Sequence, residues 1–96
     1  MQIKLSPVRS NETISVSRLG DVLTISGEAF DFSQLPEGAT LPVEAVGSDH
    51  FAGPVERISG ELHLTLRLPH GPNPSQAVAF PQPITVTQDG PVELPV

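Results

Sequence analysis

The sequence predicts an all-β domain: six to eight short antiparallel strands, built from hairpins into a small sandwich or barrel, with at most one short helical turn. Three observations predict it. Eleven prolines exclude long helices after Leu35, because each removes a backbone donor and biases the preceding residue away from the helical region. The two long proline-free intervals, 8–35 and 55–68, alternate apolar and polar residues with period two, as half-buried strands do. Finally, one block of the chain repeats as a second hairpin. Leu, Ile, Val and Phe make up 29 of 96 residues, well above the ~20% floor for disordered chains. The length fits one domain, 1–96.

The repeat carries the centre of the fold. VSRLGDVLTI, 16–25, aligns without gaps on VERISGELHL, 55–64, so that Arg18 falls on Arg57 and Leu19 on Ile58. Each block reads as a hairpin with a two-residue turn, Gly20-Asp21 or Ser59-Gly60, a length that favours primed turns. The register follows: Val16 faces Ile25 and Arg18 faces Leu23, while Arg57 faces Leu62 and Glu56 faces His63. Both arginines then stand on the apolar face beside the turn, stems covering the core edge and guanidinium groups reaching water. In the second block Leu62, Leu64, Leu66 and Leu68 point inward, and Glu61, His63, Thr65 and Arg67 outward.

Between the blocks the alternation slips near Gly27, which predicts a bulge or corner that returns Phe30 and Phe32 to the core. Pro42 and Gly47 bracket LPVEAVG as a single helical turn. At the C-terminal end, a three-residue Gln88-Asp89-Gly90 loop predicts a third hairpin pairing Val86 with Val92 and Ile84 with Leu94, with Gly90 in the left-handed position. Before it, PHGPNPSQAVAFPQP, 69–83, holds five prolines in fifteen residues and predicts an extended or irregular arm. Val78 and Phe80 on this arm either clamp onto the domain's own core or dock into another chain. Pro72, Pro74, Val78 and Phe80 are therefore the candidate partner-binding residues.

Composition excludes several function classes. Eleven acidic residues against five basic give a formal charge of −6, with Lys4 the only lysine. A phosphate backbone needs a cluster of cations, so neither nucleic acid nor an anionic membrane is an expected partner. The opening MQIKLSPVRS alternates and lacks the apolar block of a signal peptide, which predicts an intracellular chain or one carried within an assembly. The absence of cysteine removes disulfides, thiolate nucleophiles and cysteine-held metals.

The remaining residues of chemical interest read as structure. Ser48, Asp49 and His50 are triad residue types, but three consecutive side chains diverge and cannot relay a proton. His50, His63 and His70, with Glu56 or Glu61, lack the spacings that bring metal ligands together on one element. Glu28 and Asp31 would need a cleft between them to act as a glycosidase pair. Gly20, Gly60 and Gly90 sit at turns, none opening a helix that would bind phosphate. No catalytic residue, cofactor or metal is expected, and the chain is not expected to be an enzyme.

The stretches FAGPVERISGELHLTLRLPHG, from Phe51 to Gly71, and FPQPITVTQDGPVELP, from Phe80 to Pro95, resemble small proteins encoded in the tail-gene clusters of phages and prophages of Gram-negative bacteria. Those proteins carry no defining catalytic motif, so no functional residue is carried over. The resemblance implies a non-enzymatic structural or assembly component of a virion, tail-associated, located in the particle or in the host cytoplasm before assembly. Its partners would be other virion proteins or further copies of itself. The alternative is a small acidic intracellular inhibitor or regulator of phage origin that mimics nucleic acid. Such a mimic would gather its acids on one face, whereas here they run from Glu12 to Glu93 between arginines.

Overall fold

Both repeated blocks form the hairpins their alternation implies. In a computed structural model, which describes residues 1–95, β2 (Val16–Leu19) and β3 (Val22–Ile25) pair antiparallel, with Val16 opposite Ile25 and Arg18 opposite Leu23. β6 (Val55–Ile58) and β7 (Glu61–His70) pair with Glu56 opposite His63 and Arg57 opposite Leu62. Ser59 and Gly60 both take positive φ, 54° and 76°, the signature of a type I′ turn whose twist matches the strands it joins.

Gly27 belongs to a third two-residue turn rather than to a bulge. β4 (Glu28–Asp31) folds straight back on β3, with Ile25 opposite Glu28 and Leu23 opposite Phe30. A two-residue turn always pairs an odd position with an even one, so Phe30 reaches the core face with no extra residue. Ser26 and Gly27 have φ of 50° and 86°, a conformation that asparagine tolerates better than serine. Ser26→Asn and Ser59→Asn are each expected to raise stability by about 0.5 kcal/mol, read as a higher urea midpoint.

The N-terminal strand joins the fold in a way no local pattern announces. β1 (Gln2–Arg9) runs parallel to β7 from Gln2 opposite His63 to Arg9 opposite His70. The fold is all-β and antiparallel-rich as expected, and this pair is its one parallel ladder among the described residues. Among the described residues, no strand lies on the other side of β1 beyond Ile3, which is where Pro7 falls, and proline is tolerated at such an open edge.

The expected C-terminal hairpin does not form. β8 (Ile84–Thr85) pairs antiparallel with β1, and β9 (Gly90–Pro91) pairs antiparallel with β2. Residues 86–89 thus step from one sheet to the other. The step is tied at both ends, by Val86 N–H on the Met1 carbonyl at 2.8 Å and Gly20 N–H on Asp89 Oδ1 at 2.8 Å. Gly90 keeps its positive φ, 119°.

Including β5 (Thr40–Leu41), which pairs with β6, nine strands among the described residues make two sheets ordered β5-β6-β7-β1-β8 and β4-β3-β2-β9. No strand is shared between them, so of the two expected architectures the sandwich is the one formed, with nine strands rather than six to eight. One core cluster fills the space between the sheets: Ile3, Val55, Leu62, Leu64 and Leu66 from the first, Val16, Leu23, Ile25 and Phe30 from the second. Phe51 sits at its centre, 1% exposed. Its ring meets Phe30 edge-on at 5.1 Å and Phe32 at 5.9 Å.

Two helical turns are present where at most one was expected. α1 (Val43–Val46) ends at Gly47, whose left-handed φ of 71° stops it as the sequence implies. α2 (Gln76–Ala79) lies within the proline-rich arm. Ser75 caps it, its hydroxyl accepting the Val78 N–H at 3.3 Å, the bond a serine N-cap supplies. Pro74 precedes the cap and Pro81 follows the end, so neither proline interrupts the turn. The arm is also shorter than its proline spacing implies, because Pro69 and His70 complete β7.

Candidate functional site

The residues that resemble catalytic groups hold the chain's turns. Ser48 Oγ accepts the His50 backbone N–H at 3.2 Å, closing a local turn, while the His50 carbonyl accepts the Arg67 N–H at 2.8 Å along β7. His63 lies across the ladder from Glu56. Among the described residues, no three His, Cys, Asp or Glu side chains gather at metal-binding separation.

Glu28 and Asp31 stand at the two ends of β4. Asp31 Oδ1 accepts the Ser33 N–H at 2.9 Å, and that bond, joined by one from the Ser33 side chain, holds its carboxyl below the usual range. A lowered folded-state pKa contributes stability above the unfolded-state value, and that contribution is lost as pH falls through the folded-state value. The stability difference between the native chain and Asp31→Asn is therefore expected to shrink as pH falls from about 5 to about 2. Urea midpoints across that range check it; a difference that stays constant contradicts the assignment.

The paired arginines of the repeat do different work from the expected one. Arg57 is largely withdrawn from water: its side chain is only 13% exposed. Nε donates to the Leu35 carbonyl at 2.6 Å, and Nη2 donates to the Phe32 carbonyl at 3.0 Å and to Asp21 Oδ2 at 3.1 Å. The segment between β4 and β5 folds over it, its Gly38 N–H on the Arg57 carbonyl at 2.8 Å and the Glu37 carboxylate on the Ser59 and Gly60 N–H groups. Arg18 binds the carbonyls of Gly20 at 2.9 Å and Val86 at 3.1 Å. Each arginine thus fastens a neighbouring loop to its own hairpin.

The arm is where an unfilled surface remains. Pro72 and Pro74 are exposed, and Val78 is buried. Val78 is covered within its own chain, outside the main core cluster, so its side chain is not available to a partner. Phe80, at the end of α2, is 75% exposed. Successive helical residues are rotated by about 100°, so two positions apart on one turn face nearly opposite ways; anchoring Val78 turns Phe80 outward.

Phe80 borders an open groove of about 440 Å³ formed with Ala77, Pro83, Ile84, Leu94 and Pro95. Glu93 is the only charged residue on it. The stretch from Gly71 to Gln88 contains no charged residue at all, in a chain with sixteen of them. Pro83, Ile84 and Leu94 were not among the expected contact residues. The uncharged run points to Pro83 and Ile84, while Leu94 lies outside it; the expected hairpin assigns Ile84 and Leu94 to a ladder instead.

No known protein family, curated protein or solved structure matches this chain. Among the described residues, no helix is long and apolar enough to cross a membrane. The functional reading therefore rests on the surface itself.

Proposed function

We propose that this protein is a non-enzymatic structural or assembly component that works through protein–protein contacts, with the Phe80 face as its docking surface. The observation that carries the reading is the exposed Phe80 ring on a proline-stiffened surface whose one charged residue is Glu93. A large apolar side chain left in water beside an apolar groove marks a contact site more often than a random surface residue. The setting proposed is a phage or prophage virion, tail-associated, which the sequence resemblance of residues 51–71 and 80–95 supports.

The test uses particles from a strain that produces them, with the native chain or with Phe80→Ser. Because Phe80 is exposed, the substitution is expected to change stability by less than about 0.5 kcal/mol. Quantitative mass spectrometry is expected to find the native chain in purified particles at a fixed ratio to the other virion proteins, and the variant depleted at least ~10-fold, a loss worth ~1.4 kcal/mol of binding. Absence of the native chain from particles contradicts the setting. Equal incorporation of the variant contradicts the surface.

A further inference from the structure

We propose that the Phe80 face joins two copies of this chain in a twofold dimer, each Phe80 ring seated in the groove of the other copy. The proposal deepens the docking reading above and rests on the same surface.

Three features select a second copy as the occupant. The first is charge. Two molecules of formal charge −6 repel wherever their acids face each other, and the acids otherwise run from Glu12 to Glu93. The segment from Gly71 to Gln88 has none and Glu93 is the one acid on the groove, so a pair meeting there faces a single carboxylate from each copy, which salt screens over ~8–10 Å.

The second is shape. A twofold contact needs one patch that is complementary to itself, so that each residue meets the same partner in both directions. Phe80 is 75% exposed and forms one wall of a groove that Pro83, Ile84, Leu94 and Pro95 continue, with Gln82 and Glu93 at its polar positions. Ring and groove on a single patch satisfy that condition.

The third is the mode of contact. Beside Phe80, β8 offers only Ile84 and Thr85 at the edge of its sheet, behind Pro81 and Pro83, which have no N–H to donate. An edge so short and so bounded resists strand addition, leaving side-chain packing as the available contact. The backbone at Phe80 is also pre-placed, by the Ser75 cap and the buried Val78, so little backbone freedom is lost on docking. A phenylalanine buries ~150–250 Å², and two rings with their grooves reach only the small, reversible interface class.

Sedimentation velocity of the full chain from ~5 to ~500 μM reads the result. The native chain is expected to move from its 10.2 kDa monomer toward twice that mass. Phe80→Glu is expected to stay monomeric throughout, Phe80→Leu to dimerise, and Leu19→Glu, at the other strongly exposed apolar residue, to dimerise like the native chain. A native chain that stays monomeric at every concentration, or a dimer unaffected by Phe80→Glu, overturns the proposal. The particle experiment separates the two readings. A monomeric native chain whose Phe80→Ser variant still drops out of particles overturns the dimer and leaves docking standing. A dimeric chain whose variant is fully incorporated supports the dimer and overturns docking to the virion.

Discussion

Phe51→Ala is expected to destabilise the protein by about 3–5 kcal/mol, a large part of the ~5–15 kcal/mol that holds a typical domain together. The ring is 1% exposed and bridges the two sheets through its edge-on contacts with Phe30 and Phe32. Its removal leaves a cavity lined on both sides by elements that cannot approach each other, because both sheets are fixed by their own ladders. For a domain of this size each kcal/mol lowers the melting temperature by about 4–8 °C, so a fall of about 15 °C or more is the expected result by differential scanning calorimetry. Phe51→Leu keeps most of the volume and is expected to lose less than half as much. Equal losses for the two would mean that the site collapses freely and that Phe51 is no central strut.

Arg57→Ala is expected to cost about 2–4 kcal/mol, since removal of a largely covered charged donor leaves its acceptors without partners. The Leu35 and Phe32 carbonyls lose their bonds, and the segment between β4 and β5 loses its tie to the second hairpin. Asp21 is 38% exposed and regains water, so Asp21→Asn is expected to cost under about 1 kcal/mol. Arg57→Lys has no planar fork to reach several acceptors at once and falls between. Arg18, at the equivalent place in the repeat, binds two carbonyls at a more open site, and Arg18→Ala is expected to cost about 1 kcal/mol. Urea unfolding of the four variants orders them; equal losses at Arg18 and Arg57 would contradict the role given to the covering segment.

The contrast between these arginines shows what a one-dimensional pattern carries. The repeat places both side chains on the same face at the same distance from a turn, and alternation predicts that correctly. Whether a loop then closes over one of them depends on residues 32–38, which lie in a different part of the chain. Hairpins were legible for the same reason, since two-residue turns and period-two alternation are local. The parallel pairing of β1 with β7 joins residues some sixty positions apart, and nothing within Gln2–Arg9 names that partner. At the C-terminal end, residues 84–94 satisfy a hairpin pattern, yet β1 and β2 each present an open edge that takes one half of it.

The candidate site was half legible. Proline density marked the arm, and the apolar residues on it were visible as Val78 and Phe80. What proline density hides is the short run from Ser75 to Ala79, where a capping serine and small residues permit one helical turn. That turn decides which of the two apolar side chains goes inward. The groove walls come from Ile84, Leu94 and Pro95, brought beside Phe80 only because the last strands separate onto two sheets.

The central claim is that one of the four phenylalanines is set aside for contact while three build the core. Uniform labelling with 4-fluorophenylalanine gives one fluorine resonance for each. The account predicts that only the Phe80 resonance, identified by its loss in Phe80→Leu, shifts between H2O and D2O and moves as protein concentration rises. A Phe80 resonance as shielded from solvent as those of Phe30, Phe32 and Phe51, or a concentration response confined to those three, would contradict it.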